Sequence, residues 1–159
     1  MPEKSVDRII ISDTSCLISL VKINKLDILK KMYTEIIITP EVAAEFKHPL
    51  PDWIKKKDVI NKSLILEFQN TGKLHTGEAS SIALALETKN STVILDEDRA
   101  RKFARQKGLS IIGTLGILSK ACDLGFIESY EKMCEDLHKT NFRFNPKIQN
   151  DAKKHGFQR

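Results

Sequence analysis

The stretch Ile9-Ile-Ile-Ser-Asp13 carries the feature that decides the fold, because a short β-branched run ends directly on a carboxylate. The same feature returns in Thr92-Val-Ile-Leu-Asp96. Runs of this length and composition are typical of buried β-strands. In an open parallel sheet, ligand sites form beyond the carboxyl ends of the strands. The two stretches therefore predict that Asp13 and Asp96 lie at the same edge of one sheet.

Segments with helical periodicity separate these strands. Residues 76–86 carry the apolar face of a helix at Ala79, Ile82, Ala83 and Leu86. Further helices are predicted in two short pieces within 17–32 and at 40–47, 98–107, 114–123 and 128–139. Further strands are predicted at 35–39, 63–68 and 109–112, whereas residues 52–62 are predicted to form a loop or a short surface helix. Strands that alternate with helices predict an α/β fold whose mostly parallel sheet is covered on both faces.

Length and composition bound the class of protein. The chain of 159 residues fits one domain, predicted over residues 1–159. No apolar run approaches the roughly 18 residues of a membrane span, and the N-terminal Met-Pro-Glu-Lys-Ser lacks the apolar stretch of a secretory signal. The cysteines, Cys16, Cys122 and Cys134, form no Cys-x-x-Cys pair, which argues against a zinc or redox motif. These features predict a cytoplasmic protein.

The formal net charge of +5 is concentrated in a basic C-terminal tail. Residues 138–159 carry six Lys and Arg residues against Asp151 alone, whereas the two signs cancel over residues 1–137. A basic tail is suited to contact phosphates. The alternative is a solvated terminal segment with no partner, including a short helix predicted after Pro146.

Two further acids are placed to join the strand-end carboxylates. Glu78 lies in the first turn of the 76–86 helix, and Glu45 lies beside Phe46 on the 40–47 helix. Converging carboxylates repel one another, so a cation is needed to ionise them together. Hard divalent cations prefer oxygen ligands, and no His or Cys stands at ligand spacing, which favours Mg²⁺ or Mn²⁺ over zinc. Taken singly, each acid also fits a helix cap, a helix dipole or a surface ion pair.

Five stretches carry a resemblance to a known family, in the family's order. They read Ile10-Ile-Ser-Asp-Thr-Ser-Cys-Leu-Ile18, Thr39-Pro-Glu-Val-Ala-Ala-Glu-Phe46, Leu74-His-Thr-Gly-Glu-Ala-Ser-Ser-Ile-Ala83, Val93-Ile-Leu-Asp-Glu-Asp-Arg-Ala-Arg101 and Lys107-Gly-Leu-Ser-Ile-Ile-Gly-Thr-Leu-Gly-Ile117. Over roughly residues 8–145 the chain resembles the PIN-domain nucleases, most closely a PIN-like group related to the VapC toxins of prokaryotes. The resemblance implies a three-layer α/β/α sandwich with a central, mostly parallel sheet, and a Mg²⁺- or Mn²⁺-dependent endoribonuclease.

The resemblance also implies roles for single acids. The predicted catalytic residues match the family's acids by position: Asp13, Glu45, Glu78 and Asp96. The predicted metal ligands are Asp13, Asp96, Glu78 and Asp98. A fifth, more variable acid of the family is either Glu97 or Asp98, and Glu78 stands where many PIN toxins carry Asp.

Contacts with RNA are predicted from cations and hydroxyls near the acids. Arg101 and Arg105 are spaced i, i+4 on the helix after Asp96, where they would hold the RNA backbone, unless they are simply a solvated helix face. The resemblance adds Thr14 or Ser15 as a supporting hydroxyl.

The overall prediction is the toxin component of a prokaryotic toxin–antitoxin pair that hydrolyses RNA phosphodiester bonds. The resemblance implies a small antitoxin as a partner. Leucines within residues 17–32 are candidates for a homodimer surface, with ordinary core packing as the alternative. The alternative function is a catalytically weak or inactive PIN-like scaffold that acts as an RNA- or protein-binding module.

Overall fold

The computed structural model describes residues 9–140, and the structural statements below refer to that range. Its strands are β1 (Ile9–Ser12), β2 (Glu35–Ile38), β3 (Ile54–Lys56), β4 (Ser91–Ile94) and β5 (Ile111–Ile112). Its helices are α1 (Thr14–Lys22), α2 (Ile28–Met32), α3 (Pro40–Phe46), α4 (Ser63–Gly72), α5 (Thr76–Leu86), α6 (Asp98–Gln106), α7 (Thr114–Asp123) and α8 (Tyr130–His138). Helices and strands alternate along most of the range, as predicted.

The strands form one parallel sheet in the order β3-β2-β1-β4-β5. Successive residues of a strand point to opposite faces, and the core divides accordingly. Ile10 and Ile94 pack with α1, α2, α3, α7 and α8 on one face. Ile11 and Val93 pack with α4, α5 and α6 on the other face. The predicted three-layer α/β/α sandwich with a central parallel sheet is therefore confirmed.

The central position of β1 brings the strand ends together. Ile11 of β1 is in register with Ile37 of β2 on one side and with Val93 of β4 on the other. Directly after β1, the amide of Asp13 donates a hydrogen bond to the Ile94 carbonyl at 3.3 Å. The carboxyl ends of β1 and β4 consequently meet at one edge of the sheet, as the sequence predicts.

Two predictions between residues 52 and 68 are wrong. Residues 63–68, predicted as a strand, begin helix α4, because Ile65 and Phe68 are buried at helical spacing against α5 and α6 while Leu66 is exposed. Residues 52–62, predicted as a loop or surface helix, contain strand β3. In β3 only Ile54 is buried, so its sequence gives no strand periodicity, and its exposed lysines suit an edge strand that must not pair further.

The leucines proposed as a homodimer surface belong to the core. Leu17, Leu20 and Leu29 are fully buried in the cluster on the α1 face of the sheet. Core packing therefore accounts for these three, whereas Leu26 is only partly buried against the same cluster. Most of the basic tail, residues 141–159, and the helix predicted after Pro146 lie outside the described residues. No helix within residues 9–140 is long and apolar enough to cross a membrane.

Candidate active site

The structure brings the four predicted catalytic acids to the carboxyl edge of the sheet. Asp13 follows β1, Asp96 lies just beyond β4, Glu45 is on α3 and Glu78 is in the first turn of α5. The charges of Glu78, Asp96 and Glu45 each raise the pKa of Asp13. Asp13 is therefore the residue at which the four elements converge.

Asp13 is a buried carboxylate with few hydrogen bonds of its own. It is only 6% exposed and occupies the N-cap position of α1. The Thr14 amide donates to its Oδ1 at 2.7 Å, and the Ser15 hydroxyl lies 3.5 Å from Oδ2. The pKa of Asp13 is raised to about 7, mainly by burial. The Thr14 hydrogen bond lowers this pKa, and the charges of the three neighbouring acids raise it further. Ionised Asp13 thus lacks sufficient compensating charge.

Asp96 is held more firmly, although burial still raises its pKa. Thr114, the first residue of α7, donates its amide to Oδ1 at 2.7 Å and its hydroxyl to Oδ2 at 2.6 Å. The Arg101 guanidinium lowers the pKa of Asp96, as do the two Thr114 bonds. Charge-assisted hydrogen bonds of this kind fix the orientation of a carboxylate. Thr114 was not among the predicted site residues. Its position just after β5 and Gly113, at the same edge of the sheet as the acids, is the feature of the sequence that could have pointed to it.

The two glutamates differ in exposure and in partner. Glu45 is exposed, and its Oε1 accepts a hydrogen bond from the Thr14 hydroxyl at 2.6 Å. Glu78 is buried, and its Oε1 accepts from the His75 amide at 3.0 Å. Burial is the main cause of the raised pKa of Glu78, with the Glu97 and Glu45 carboxylates adding to it and the His75 amide and ring lowering it. Glu45 is thus tied to α1 next to Asp13, whereas Glu78 caps the start of its own helix.

Two glycines allow the close packing of this edge. A Cβ on Gly77 would collide with Glu45 Oε1 and would lie 3.2 Å from Thr14 Oγ1 and 3.3 Å from Asp13 Oδ1. A Cβ on Gly113 would lie 3.0 Å from an Arg101 nitrogen and 3.2 Å from Asp96 Oδ1. The missing side chains thus let α5 and the start of α7 approach the carboxylates. Sequence reasoning quoted both glycines without giving them a role.

The predicted RNA-contacting arginines occupy different surroundings. Arg101 is partly buried, donates to the Leu95 carbonyl at 2.8 Å and acts electrostatically on Asp96. Arg105, one turn further along α6, is exposed. Arg101 therefore supports the Asp96 side of the site, and Arg105 remains the more accessible cation of the pair.

The two candidates for a fifth acid also differ. Glu97 and Asp98 are both exposed at the start of α6. Glu97 is among the charges that raise the pKa of Glu78. Asp98 is not among the principal influences on the pKa of Asp13, Glu78 or Asp96. Of the two, Glu97 is therefore the one whose charge acts on a clustered carboxylate.

The donor set is suited to a hard divalent cation. All of the clustered donors are oxygens, and burial raises the pKa of Asp13, Glu78 and Asp96, so a bound cation would favour their ionised forms. Within residues 9–140, no group of three His, Cys, Asp or Glu side chains is placed to hold one ion. Mg²⁺ nevertheless keeps several waters and binds through one or two carboxylates plus substrate phosphates. The residues fit such an ion in charge and in donor chemistry.

A parallel sheet between two helical layers, with clustered acids at its carboxyl edge, defines a PIN-like nuclease fold. The sequence profile of the family DUF3368, described as a PIN domain, matches residues 9–155. The chain therefore belongs to this family of PIN domains, as the sequence motifs predict. PIN domains are generally nucleases and usually use divalent metals. Neither the curated proteins nor the solved structures gave a match to the chain.

Proposed function

We propose that this protein is a divalent-metal-dependent endoribonuclease that hydrolyses RNA phosphodiester bonds at the cluster around Asp13. The observation that carries the proposal is the convergence of Asp13, Glu45, Glu78 and Asp96 at one sheet edge, where burial and mutual repulsion raise the pKa of Asp13 to about 7. Burying several ionised carboxylates together lowers the stability of the fold unless a cation binds between them, so such a cluster is typical of a functional site. Membership of the PIN-domain family makes a phosphodiester the matching substrate.

Asp13 and Asp96 are the proposed principal ligands for Mg²⁺ or Mn²⁺. Glu78 would orient a water bound to the ion, with Glu97 rather than Asp98 as the additional acid near it, because Glu97 is the one that acts on the Glu78 carboxylate. A bound divalent cation supplies a water of lowered pKa and neutralises charge that develops on the phosphodiester. The ligands must be ionised to bind the cation, so Asp13 has to lose its proton before or with binding.

The remaining residues orient this set. Thr114 holds both oxygens of Asp96, which leaves that carboxylate a single orientation toward the cluster. The Thr14 hydroxyl fixes Glu45, which is exposed and thereby placed to accept a proton from a water or to hold it in position. Ser15 is exposed beside Asp13, and Arg105 is exposed on α6; both remain proposed contacts for the RNA backbone.

The biological role is proposed to be that of a toxin in a toxin–antitoxin pair, with a small antitoxin that covers the acidic cluster. This part of the proposal is supported by the motif resemblance to the group related to VapC toxins. Expression of the chain alone should arrest growth of a bacterial host, and Asp13→Asn should relieve the arrest. Normal growth with well-expressed wild-type protein would contradict the toxin role without affecting the nuclease proposal.

The nuclease is tested by incubating a mixed panel of RNAs with Mn²⁺, Mg²⁺ or EDTA. The wild type should cleave only with a divalent ion, and Asp13→Asn and Asp96→Asn should each lose at least about 100-fold in rate, the scale on which removal of one essential electrostatic group acts. Asp123→Asn is the matched control, because it removes the same charge from an exposed position at the end of α7.

The alternative, a PIN-like scaffold that only binds RNA or protein, makes the opposite prediction. A scaffold would leave every RNA intact with each ion while still binding RNA in EDTA, with an affinity that falls steeply as salt rises. Cleavage that persists equally in Asp13→Asn and Asp96→Asn would place the activity elsewhere and would contradict the proposed site.

A further inference from the structure

Three exposed basic side chains lie near the start of α5, the helix that carries Glu78. They are Lys73 at the end of α4, His75 at the N-cap of α5 and Arg99 in the first turn of α6, and together they are called here the cationic rim. None of the three was assigned a role from the sequence. Lys73 and His75 lie in the connection between α4 and α5, whereas Arg99 is on α6, so its proximity to Lys73 is a property of the fold.

Close packing between α4 and α6 brings the rim together. A Cβ on Gly72 would lie 2.8 Å from the Phe103 ring, so this glycine allows α6 to approach the end of α4. Phe103 also packs edge-on against Phe68 of α4 with ring centroids 5.1 Å apart. Arg99 lies one turn before Phe103 on the same face of α6. Its guanidinium consequently reaches the Lys73 carbonyl at 3.4 Å.

The rim is continuous with the acidic cluster. The His75 amide donates to Glu78 Oε1, and the His75 ring lowers the pKa of Glu78. Glu97, which raises the pKa of Glu78, lies two residues before Arg99. The boundary between the acidic cluster and the rim therefore runs along Glu78.

Within residues 9–140, no ion pair offsets the positive charge of Lys73 or Arg99. Among residues 9–140, the ion pairs within 4.0 Å join Lys31 with Asp27, Lys62 with Asp58 and Lys132 with Asp136. Within the same range, no carboxylate lies that close to the Lys73 ammonium or to the Arg99 guanidinium. Both cations are exposed and accessible to an anionic ligand.

We propose that the cationic rim binds the phosphates of a single-stranded RNA next to the phosphodiester held at the acidic cluster. The inference rests on the proposed nuclease function and assigns the direction in which the strand leaves the site, across Glu78 toward Lys73 and Arg99. An acidic cluster repels a polyanion, so cations at its border are needed to draw the strand in. Arg and Lys are the usual phosphate-contacting side chains.

The test measures binding of a labelled single-stranded RNA in EDTA, in the Asp13→Asn background so that cleavage does not interfere. The rim variant carries Lys73→Gln and Arg99→Gln. The control variant carries Lys22→Gln and Lys89→Gln, which remove the same charge from two exposed positions, the last residue of α1 and a residue just beyond α5, at the ends of these helices opposite to the site. Thermal melting verifies that both variants fold.

The rim variant should bind about tenfold more weakly than its background, and the slope of log Kd against log salt should fall by about 1.4, because each lost phosphate contact on a single strand contributes about 0.7. The control should stay within about twofold at constant salt, since its charges act only at long range. If the rim variant and the control lost RNA affinity equally, the loss would come from net charge and not from the rim, and the proposal would be overturned. Tight binding that the rim substitutions leave unchanged would overturn it as well.

Failure of the rim and failure of the nuclease are separated by cleavage assays with Asp13 restored. If the rim variant cleaves RNA at a concentration below saturation as fast as the wild type, the rim proposal is wrong and the nuclease proposal is unaffected. If the wild type itself does not cleave with Mn²⁺ or Mg²⁺ while the rim variant still loses RNA binding, the nuclease proposal fails and the rim is a binding surface only.

Discussion

The two halves of the acidic cluster differ in how the protein compensates their charge. On the Asp96 side, Thr114 supplies two hydrogen bonds and Arg101 supplies a positive charge. On the Asp13 side, the nearest charges are other carboxylates, and the main compensation is one hydrogen bond from the Thr14 amide. The Asp96 side is thus the better compensated of the two, although burial raises the pKa of both aspartates. On the Asp13 side, ionising the buried carboxylate is unfavourable, and a bound cation would offset that free energy. A cation should therefore stabilise this side most.

The largest expected effect separates the two aspartates by their influence on stability. Asp13→Asn removes a buried charge and keeps an acceptor for the Thr14 amide, so at pH 8 in EDTA the free energy of unfolding should rise by up to about 4 kcal/mol. Asp96→Asn also removes a buried charge, but it replaces one carboxylate acceptor of the Thr114 donors by an amide nitrogen, so its gain in stability should be smaller than that of Asp13→Asn by about 1–3 kcal/mol. Urea unfolding of both variants measures the difference.

Both variants should lose cleavage although their changes in stability differ. If Asp13→Asn and Asp96→Asn changed the free energy of unfolding equally, the two sides would be equally compensated and the comparison would fail. Asp27→Asn serves as a control, because Asp27 is exposed and paired only with Lys31 at 3.5 Å on the surface. It should change the free energy of unfolding by less than about 1 kcal/mol.

The pH dependence of stability should carry the same signature. Asp13 has a pKa of about 7 in the folded protein and an ordinary value near 4 when unfolded, so the folded state holds the extra proton between these values. Its contribution to stability is complete below about pH 4 and is lost as the pH rises toward 7, at about 1.4 kcal/mol per pH unit. The raised pKa values of Glu78 and Asp96 act in the same direction.

The measurement is urea unfolding in EDTA over this pH range, with Asp13→Asn as the reference. The difference in unfolding free energy between wild type and variant should widen steadily as the pH increases. Saturating Mg²⁺ should stabilise the wild type at pH 8 and should have little effect on Asp13→Asn, since binding to the folded state alone adds stability. A difference that does not depend on pH would show that Asp13 is already charged in the metal-free protein.

A smaller effect should distinguish the two threonines that hold carboxylates. Thr114→Val removes the hydrogen bond from the Thr114 hydroxyl to Asp96 and should lower the free energy of unfolding by about 1–2 kcal/mol. It should also weaken metal binding about tenfold or more, as is usual when a residue that orients a metal ligand is lost. Thr14→Val removes the bond to exposed Glu45 and should cost less than about 1 kcal/mol. Chemical unfolding and Mn²⁺ titration measure both. Equal costs would mean that Glu45 is held as firmly as Asp96.

The sequence predicts the acidic cluster better than it predicts the residues that support it. Asp13 and Asp96 follow strong β-branched runs, so their place at one sheet edge follows from local pattern and the rule for parallel sheets. Thr114 acts on Asp96 across 18 positions of the chain, and no local pattern encodes that pairing. Arg101 likewise acts on Asp96 because the fold packs α6 against the carboxyl end of β4, where Arg101 donates to the Leu95 carbonyl.

The misassigned segment between residues 52 and 68 has the same origin. Strand β3 consists of Ile54 and two exposed lysines, and its pairing with β2 depends on its place at the sheet edge. Residues 63–68 have the apolar content of a strand, but packing against α5 and α6 makes them a helix. Tertiary contacts thus overrode local preference in both cases.

The smallest expected effect compares the two glycines that allow close approach on each side. The Cβ of Gly77→Ala collides with Glu45 Oε1, the end of an exposed and flexible side chain, so Glu45 should swing away while the fold persists. The Cβ of Gly113→Ala meets an Arg101 nitrogen at 3.0 Å and Asp96 Oδ1 at 3.2 Å, and Asp96 is held in place by Thr114. Gly77→Ala should therefore slow cleavage by about tenfold with a change in unfolding free energy below about 1 kcal/mol, whereas Gly113→Ala should also lower stability.

The route through Glu45 is tested by a double-mutant cycle. If Gly77→Ala acts by displacing the Glu45 carboxylate, it should add little to the loss of cleavage already caused by Glu45→Ala. Full additivity of the two losses would mean instead that the new methyl group disturbs Asp13 directly, at its 3.3 Å contact with Oδ1. In that case the Asp13 side would be as rigid as the Asp96 side, and the contrast between the two halves would rest on charge alone.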